Sequence, residues 1–304
     1  VEEVIVIVGP TCSGKTHLSL CLAQKINSEI ISADSRQIYK HLNIGTAKPD
    51  ISDLEKVKHH FIDELDPREE FNASSFAIKA SAVIQRLLSN NILPIVVGGS
   101  GLYIKALIDG ISESADTNKN IRFKLLDLRQ RFGNEFLYNE LKKIDPESAT
   151  KMLPQNWKRV MRALEVYQIT GKPIWQHHQI HSKNDKFNFK QIGLLWDRKI
   201  LYNYIENRVD EMIELGFVEE VKNILNLGYS KSLNALNTVG YKEIINYLDN
   251  NISLDRAIEL IKRNTRRYAK RQMTWFNADK RIEWHKINQT KDLTKLTEQI
   301  LKLT

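Results

Sequence analysis

Cysteine is scarce. Cys12 and Cys21 are the only two among 304 residues, too few for a disulfide framework or a cysteine metal cage. No apolar run approaches the roughly 18 residues of a membrane span, and Val1-Glu2-Glu3 lacks the basic flank of a secretory signal. A cytoplasmic chain with no membrane contact is therefore expected. The first residue is Val, so an initiator Met or short leader is expected before it. There is no internal repeat, low-complexity tract or heptad array, which excludes repeat arrays and long coiled coils.

What the chain does contain is 42% hydrophobic and 27% charged residues. That balance excludes disorder and gives one large or two ordinary domains a real core. Lys and Arg number 45 against 37 Asp and Glu, a net charge of +8, which favours a polyanionic partner. Nothing in the sequence demands a dimer, and a monomer is expected.

Val4 to Val8 is a β-branched run that reads as a strand buried on both faces, followed by helical spacing at Leu18, Cys21, Leu22 and Ile26. Glu29–Ala33 and Leu93–Val97 read as further strands, with a helix over Ser74–Leu88 between them. Strands alternating with helices predict an α/β fold, a doubly wound parallel sheet whose ligands gather at the carboxyl ends of the strands. After Gly110 the texture changes. Ser112–Asn120 is polar, and Ile121–Gly171 has helical spacing broken at Gly133, Asp145-Pro146 and Pro154, so residues 112–190 are expected to form a helical insertion domain between 1–111 and 191–304. Gln191–Trp196 then returns to strand character, and Asp197 is placed to cap a helix with an apolar stripe at Leu201, Ile205, Val209, Met212 and Ile213. Leu254, Ile258, Ile261, Thr265 and Tyr268 form one face of a long C-terminal helix.

Gly9-Pro10-Thr11-Cys12-Ser13-Gly14-Lys15-Thr16 fits G-x-x-x-x-G-K-[ST] between a strand and a helix, the context a phosphate loop requires. Its backbone N–H groups and Lys15 would face a phosphate, and the Thr16 hydroxyl can ligate magnesium. Asp34, at a strand end beside the loop, either holds magnesium through water, accepts a proton from a nucleophile, or is merely a turn residue; position alone does not choose. Gly98-Gly99-Ser100-Gly101 is either a second anion nest or a strand-to-helix turn. His59-His60 and His177-His178 with His181 lack the cysteines or acids of a zinc site and read as solvated or hydrogen-bonded. Arg208 lies at the border of its helix's apolar face, where it either snorkels or reaches toward phosphate. Lys158, Arg159 and Arg162 ride one side of a helix. From Arg256 to Arg281 nine basic residues face only Glu259 and Asp279, and two basic helices suggest a groove for an RNA backbone, with Tyr268, Trp275 and Phe276 as stacking or core residues.

The phosphate loop, Ser32–Tyr39, Ile44–Pro49, Val97–Tyr103, Arg162–Val166 and Val239–Lys242 together resemble the bacterial tRNA dimethylallyltransferases nearly end to end. Cys12 stands where Ala is common and Ser100 where Thr is expected, and the zinc-finger extension of eukaryotic relatives is not in the sequence. The resemblance implies a P-loop NTPase-like sheet and transfer of a dimethylallyl group from dimethylallyl diphosphate to N6 of the adenosine at tRNA position 37, with Mg2+ and release of pyrophosphate. It implies that Gly9, Pro10, Thr11, Cys12, Ser13, Gly14, Lys15 and Thr16 hold the diphosphate, that Asp34 is the general base, and that Lys15, Thr16 and Arg208 stabilise the leaving group. For the tRNA anticodon stem-loop it implies contacts from Asp34, Ser35, Arg36, Gln37, Ser100, Arg122, Lys158, Arg159, Arg162 and the segment from Asn237 to Lys242, which includes Gly240. Without it, a phosphate loop with a strand-end Asp also describes an ATP-dependent small-molecule or nucleoside kinase, or a non-catalytic RNA-binding NTPase.

Overall fold

A computed structural model describes residues 2–110, 117–179 and 186–302. Most of the polar stretch at 112–120, and His181, lie outside the described residues. The chain divides into two compact units, Val1–Leu107 with Asp185–Thr304, and Ile108–Asn184. Among the described residues no helix is long and apolar enough to cross a membrane.

The first unit is built on one parallel sheet of six strands, β1 (Glu3–Val8), β2 (Ile30–Ser32), β3 (His59–His60), β4 (Ile95–Gly98), β5 (Asn188–Trp196) and β6 (Glu283–Ile287), in the order β3-β2-β4-β1-β5-β6. Val4 to Val8 are 0% exposed, because a central parallel strand is covered on both faces and takes β-branched residues on each. The direction of travel across the sheet reverses beside β1, and there the carboxyl ends of β1, β2 and β4 open a crevice. The strand at His59–His60 was not expected; it is a two-residue edge element paired to β2.

Helices α1 (Lys15–Ile26), α2 (Ile51–Lys56), α3 (Ala73–Ser89) and α4 (Gly101–Asp109) connect the first strands. In the second unit α5 (Lys119–Ile144), α6 (Pro146–Thr150), α7 (Trp157–Thr170) and α8 (Ile174–Gln179) pack Leu137, Leu141, Val160, Ala163 and Leu164 into a core of their own. The breaks fall where the sequence places them. Gly133 leaves helical geometry at φ 82°, and Asp145 ends α5 and caps α6 through Ser148 N at 3.0 Å.

The chain returns to the sheet at β5, pairing beside β1. Then come α9 (Arg198–Glu214), α10 (Phe217–Asn226), α11 (Tyr241–Leu248), α12 (Leu254–Asn277) and α13 (Lys291–Leu301). Asp197 caps α9 through Lys199 N at 2.8 Å, and Leu201, Ile205 and Val209 are buried as its stripe. The buried stripe of α12 differs from the expected one: it runs through Ala257, Ile261, Ala269, Gln272 and Phe276. A neutral amide inside an apolar stripe needs partners, and those of Gln272 lie in the site.

Candidate active site

The loop after β1 is shaped by three residues with positive φ: Gly9 at 152°, Cys12 at 63° and Gly14 at 85°. A side chain at Gly9 would meet Ser13 Oγ at 2.9 Å, and one at Gly14 would meet Leu293 Cδ1 at 2.5 Å. The loop is held from outside by Trp196, whose Nε1 donates to Ser13 O at 2.9 Å. Ser13 Oγ is buried with no hydrogen-bond partner among the described residues, an unspent polar atom at the heart of the loop. Lys15 Nζ donates to Pro10 O at 2.6 Å. Burial lowers the Lys15 pKa to about 8, with Arg208 pushing the same way and Cys12 and Asp34 opposing.

Asp34 is both a turn residue and a cavity residue. Its Oδ1 accepts from Arg36 N at 2.8 Å and Gln37 N at 3.3 Å, an Asx-type turn that fixes the carboxylate's orientation. The next residues are pinned in turn. Ser35 N donates to Ser100 Oγ at 3.1 Å, and Arg36 Nη1 to Asn234 O at 2.7 Å. Gln37 Nε2 donates to Thr46 O at 3.2 Å and Ala47 O at 3.1 Å. Glu220 holds the same segment from behind, accepting from the backbone N–H of Asn43, Ile44 and Gly45 and from the Tyr241 hydroxyl at 2.6 Å.

The second glycine stretch is not an anion nest. None of Gly98, Gly99, Ser100 or Gly101 has the positive φ that a nest requires. These glycines exist for close approach. A side chain at Gly98 would run into Ala33 O, at Gly99 into Gln272 Nε2, and at Gly101 into the Trp275 ring.

A cavity of about 550 Å3 gathers Thr11 to Thr16, Asp34, Gln37, Arg208, Tyr268 and Gln272. Arg208 therefore faces the loop, and its Nη1 lies 3.4 Å from Cys12 Sγ. An adjoining cavity of about 230 Å3 shares Asp34, Arg208 and Tyr268, and its wall mixes apolar groups, among them Ile205, Val209, Met212 and Phe217, with the polar Ser35, Arg36 and Thr238. Burial, reinforced by Asp34, raises the Tyr268 pKa, so its phenol stays protonated. Asp34 and Arg208 thus border both cavities, and Lys15 the larger one.

Other expected contacts are placed differently. Gly240 lines the smaller cavity with its N–H on Glu243 Oε2 at 2.8 Å, and Lys242 is exposed. In the second unit Arg122 Nε and Arg162 Nη1 both donate to the buried Glu165, at 2.9 and 2.7 Å, whereas Lys158 and Arg159 are exposed. On α12, Arg266 pairs with Glu206, Lys262 with Asp210 at 2.6 Å and Arg256 with Glu259. Arg267, Lys270 and Arg271 form its exposed basic face. Phe276 is core at 2% exposure, and Trp275 is 42% exposed. His60 Nε2 lies 2.6 Å from Glu29 Oε2 and His59 Nδ1 2.8 Å from Val57 O. Gln272, Glu220 and Trp196 were missed as site residues, since their partners are remote in sequence and no local spacing marks them.

The IPP transferase family model matches residues 37–279. A tRNA dimethylallyltransferase of Acetivibrio thermocellus is 49% identical over 99% of this chain and 96% of its own length. The crystal structure of the tRNA isopentenylpyrophosphate transferase of Bacillus halodurans superposes with a TM-score of 0.73 at 37% identity, covering 99% of this chain and 96% of that one. A eukaryotic dimethylallyltransferase captured acting on tRNA superposes with a TM-score of 0.85 at 30% identity over 99% of this chain and 78% of that one. None of these relatives supports a kinase, and the agreement in sequence and in fold over nearly the whole length means that the chain belongs to the IPP transferase family, the tRNA dimethylallyltransferases.

Proposed function

We propose that the protein transfers the dimethylallyl group of dimethylallyl diphosphate to N6 of the adenosine at position 37 in the tRNA anticodon stem-loop. The observation that carries this reading is the lining of one cavity by the phosphate loop, by Arg208 and by an oriented carboxylate, Asp34. The loop N–H groups and Lys15 hold the diphosphate, and Arg208 adds a second cation where charge grows on the leaving group. The adenine amine attacks the allylic carbon, a C–N bond forms as the C–O bond breaks, and the electron pair leaves with pyrophosphate. Asp34 takes the amine proton. Oδ1 is committed to Arg36 and Gln37, so Oδ2 is the accepting oxygen.

The residues present suit magnesium. Thr16 and Asp34 bring hard oxygen donors to the same cavity, and Mg2+ is usually held by one or two such groups together with substrate phosphates. When bound it would neutralise charge on the diphosphate. The target adenosine must leave its stack to reach Asp34, costing a few kcal/mol that phosphate and stacking contacts repay. Ser35, Arg36, Gln37, Ser100, Gly240 and Lys242 serve tRNA from the first unit. The second unit acts as a helical insertion domain supplying Lys158 and Arg159, with Arg122 and Arg162 donating to Glu165.

The decisive experiment incubates the protein with unmodified tRNA and dimethylallyl diphosphate, with and without ATP, and analyses the nucleosides by mass. Prenylated adenosine formed without ATP is the expected product. Turnover that requires ATP would reject the reading.

A further inference from the structure

Gln272 occupies an unusual place. It is 6% exposed, in the buried stripe of α12, yet both ends of its amide are spent on backbone from two separate loops. Oε1 accepts from Thr11 N of the phosphate loop at 2.8 Å, and Nε2 donates to Gly99 O at 3.0 Å. A methionine or leucine would fill the same volume in an apolar stripe. An amide there has to be justified by what it joins.

The two loops it joins are the two walls of the reaction cavity. Thr11 belongs to the wall that grips phosphate. Gly99 follows Gly98, which packs on Ala33 so closely that a side chain would strike the Ala33 carbonyl, and Ala33 precedes Asp34. The amide thereby fixes how far the phosphate loop stands from the strand end that presents the carboxylate. The fit has no slack, because a side chain at Gly99 would collide with the same Nε2, and Gly9 O lies only 3.8 Å from where that side chain would begin. Two backbone groups facing one cavity are satisfied by a single side chain that itself need not touch substrate.

We infer that Gln272 is a positioning residue, a brace that sets the spacing between the diphosphate and the carboxylate that receives the proton. The inference rests on the proposed prenyl transfer. It predicts that loss of the brace is felt in the chemical step. Misplacing reacting groups by a fraction of an ångström to an ångström costs about tenfold to a hundredfold in rate.

Two isosteric variants test it, with wild-type turnover on unmodified tRNA and dimethylallyl diphosphate as the reference. Gln272→Met removes both hydrogen bonds and keeps the volume. Its kcat at saturation with both substrates is expected to fall about tenfold to a hundredfold, while the two backbone groups left without a partner lower its melting temperature by only a few degrees and leave it folded at the assay temperature. Gln272→Glu keeps the acceptor for Thr11 but sets a carboxylate oxygen against Gly99 O. Protonation restores a donor, so its kcat relative to wild type is expected to recover as pH falls through the introduced carboxyl's pKa, which burial raises. A loss in Gln272→Glu that is the same at every pH, or unchanged saturated kcat in Gln272→Met, overturns the brace. Absence of wild-type product on these substrates rejects instead the reaction on which it rests.

Discussion

At the residue scale, Asp34 carries two jobs that a single substitution can separate. Asp34→Asn keeps an oxygen for the Arg36 and Gln37 N–H groups and removes only proton acceptance. It should lose about 10²- to 10⁴-fold in transfer rate with tRNA affinity close to wild type, measured by single turnover and filter binding. An Asn variant as fast as wild type would leave the carboxylate a turn residue alone. Lys15 makes a different kind of prediction. Its pKa of about 8 is below the usual 10.5, so between those values the folded protein binds fewer protons than the unfolded chain, and this residue's contribution to stability rises with pH. A diphosphate restores the ammonium charge, so binding of dimethylallyl diphosphate, which is itself fully ionised there, should take up protons near pH 8 to 9. Calorimetry in buffers of different ionisation enthalpy reads that uptake, which Lys15→Met should abolish.

At the element scale, α12 joins a buried stripe to an exposed basic face. Replacing Arg267, Lys270 and Arg271 by Gln should reduce the salt slope of tRNA affinity by about 2 to 3. Arg266 and Lys262 are tied to Glu206 and Asp210 of α9, and their replacement should change the slope less. An unaltered slope in the triple variant would take this face out of the interface. In the second unit, burial opposes ionisation of Glu165, but donors from Arg162, Asn118 and Arg122 outweigh it and hold the carboxyl below its usual range. Glu165→Gln removes the carboxylate charge to which both guanidinium groups donate. Because both are partly exposed, at 36% and 25%, the loss should be roughly 2 to 3 kcal/mol, read from denaturant unfolding. The elements themselves were largely legible. Short β-branched runs marked β1, β2 and β4, and Asp197 and Gly133 marked a cap and a break. The short strand β3, the edge strand β6 and the buried face of α12 were not legible; in α12 a polar residue interrupts the apolar period, which favours Leu254 and Ile258 as the expected stripe.

At the scale of the whole molecule, the same carboxylates govern acid tolerance. In Glu29, as in Glu165, burial disfavours the charge, and hydrogen bonds from Arg86 and His60 more than offset it. A folded pKa below the unfolded one gives stability that is complete above about pH 4.5 and is lost as pH falls through the folded value. Melts from pH 7 to pH 2.5 should therefore be flat at first and fall only at the acid end. The site was half legible from sequence. Its phosphate loop and Asp34 are local patterns, whereas the ties from Trp196 to Ser13 and from Gln272 to Thr11 span 183 and 261 residues, beyond the reach of any periodicity. That span also has a temporal meaning. A ribosome extends a chain at about 5 to 20 residues per second, so the first glycine loop leaves the exit tunnel roughly 10 to 50 s before the amide that steadies it exists. Nascent chains that stop short of α12 lack the side chain that ties the first glycine loop to Gly99, so the cavity is completed only near the end of synthesis.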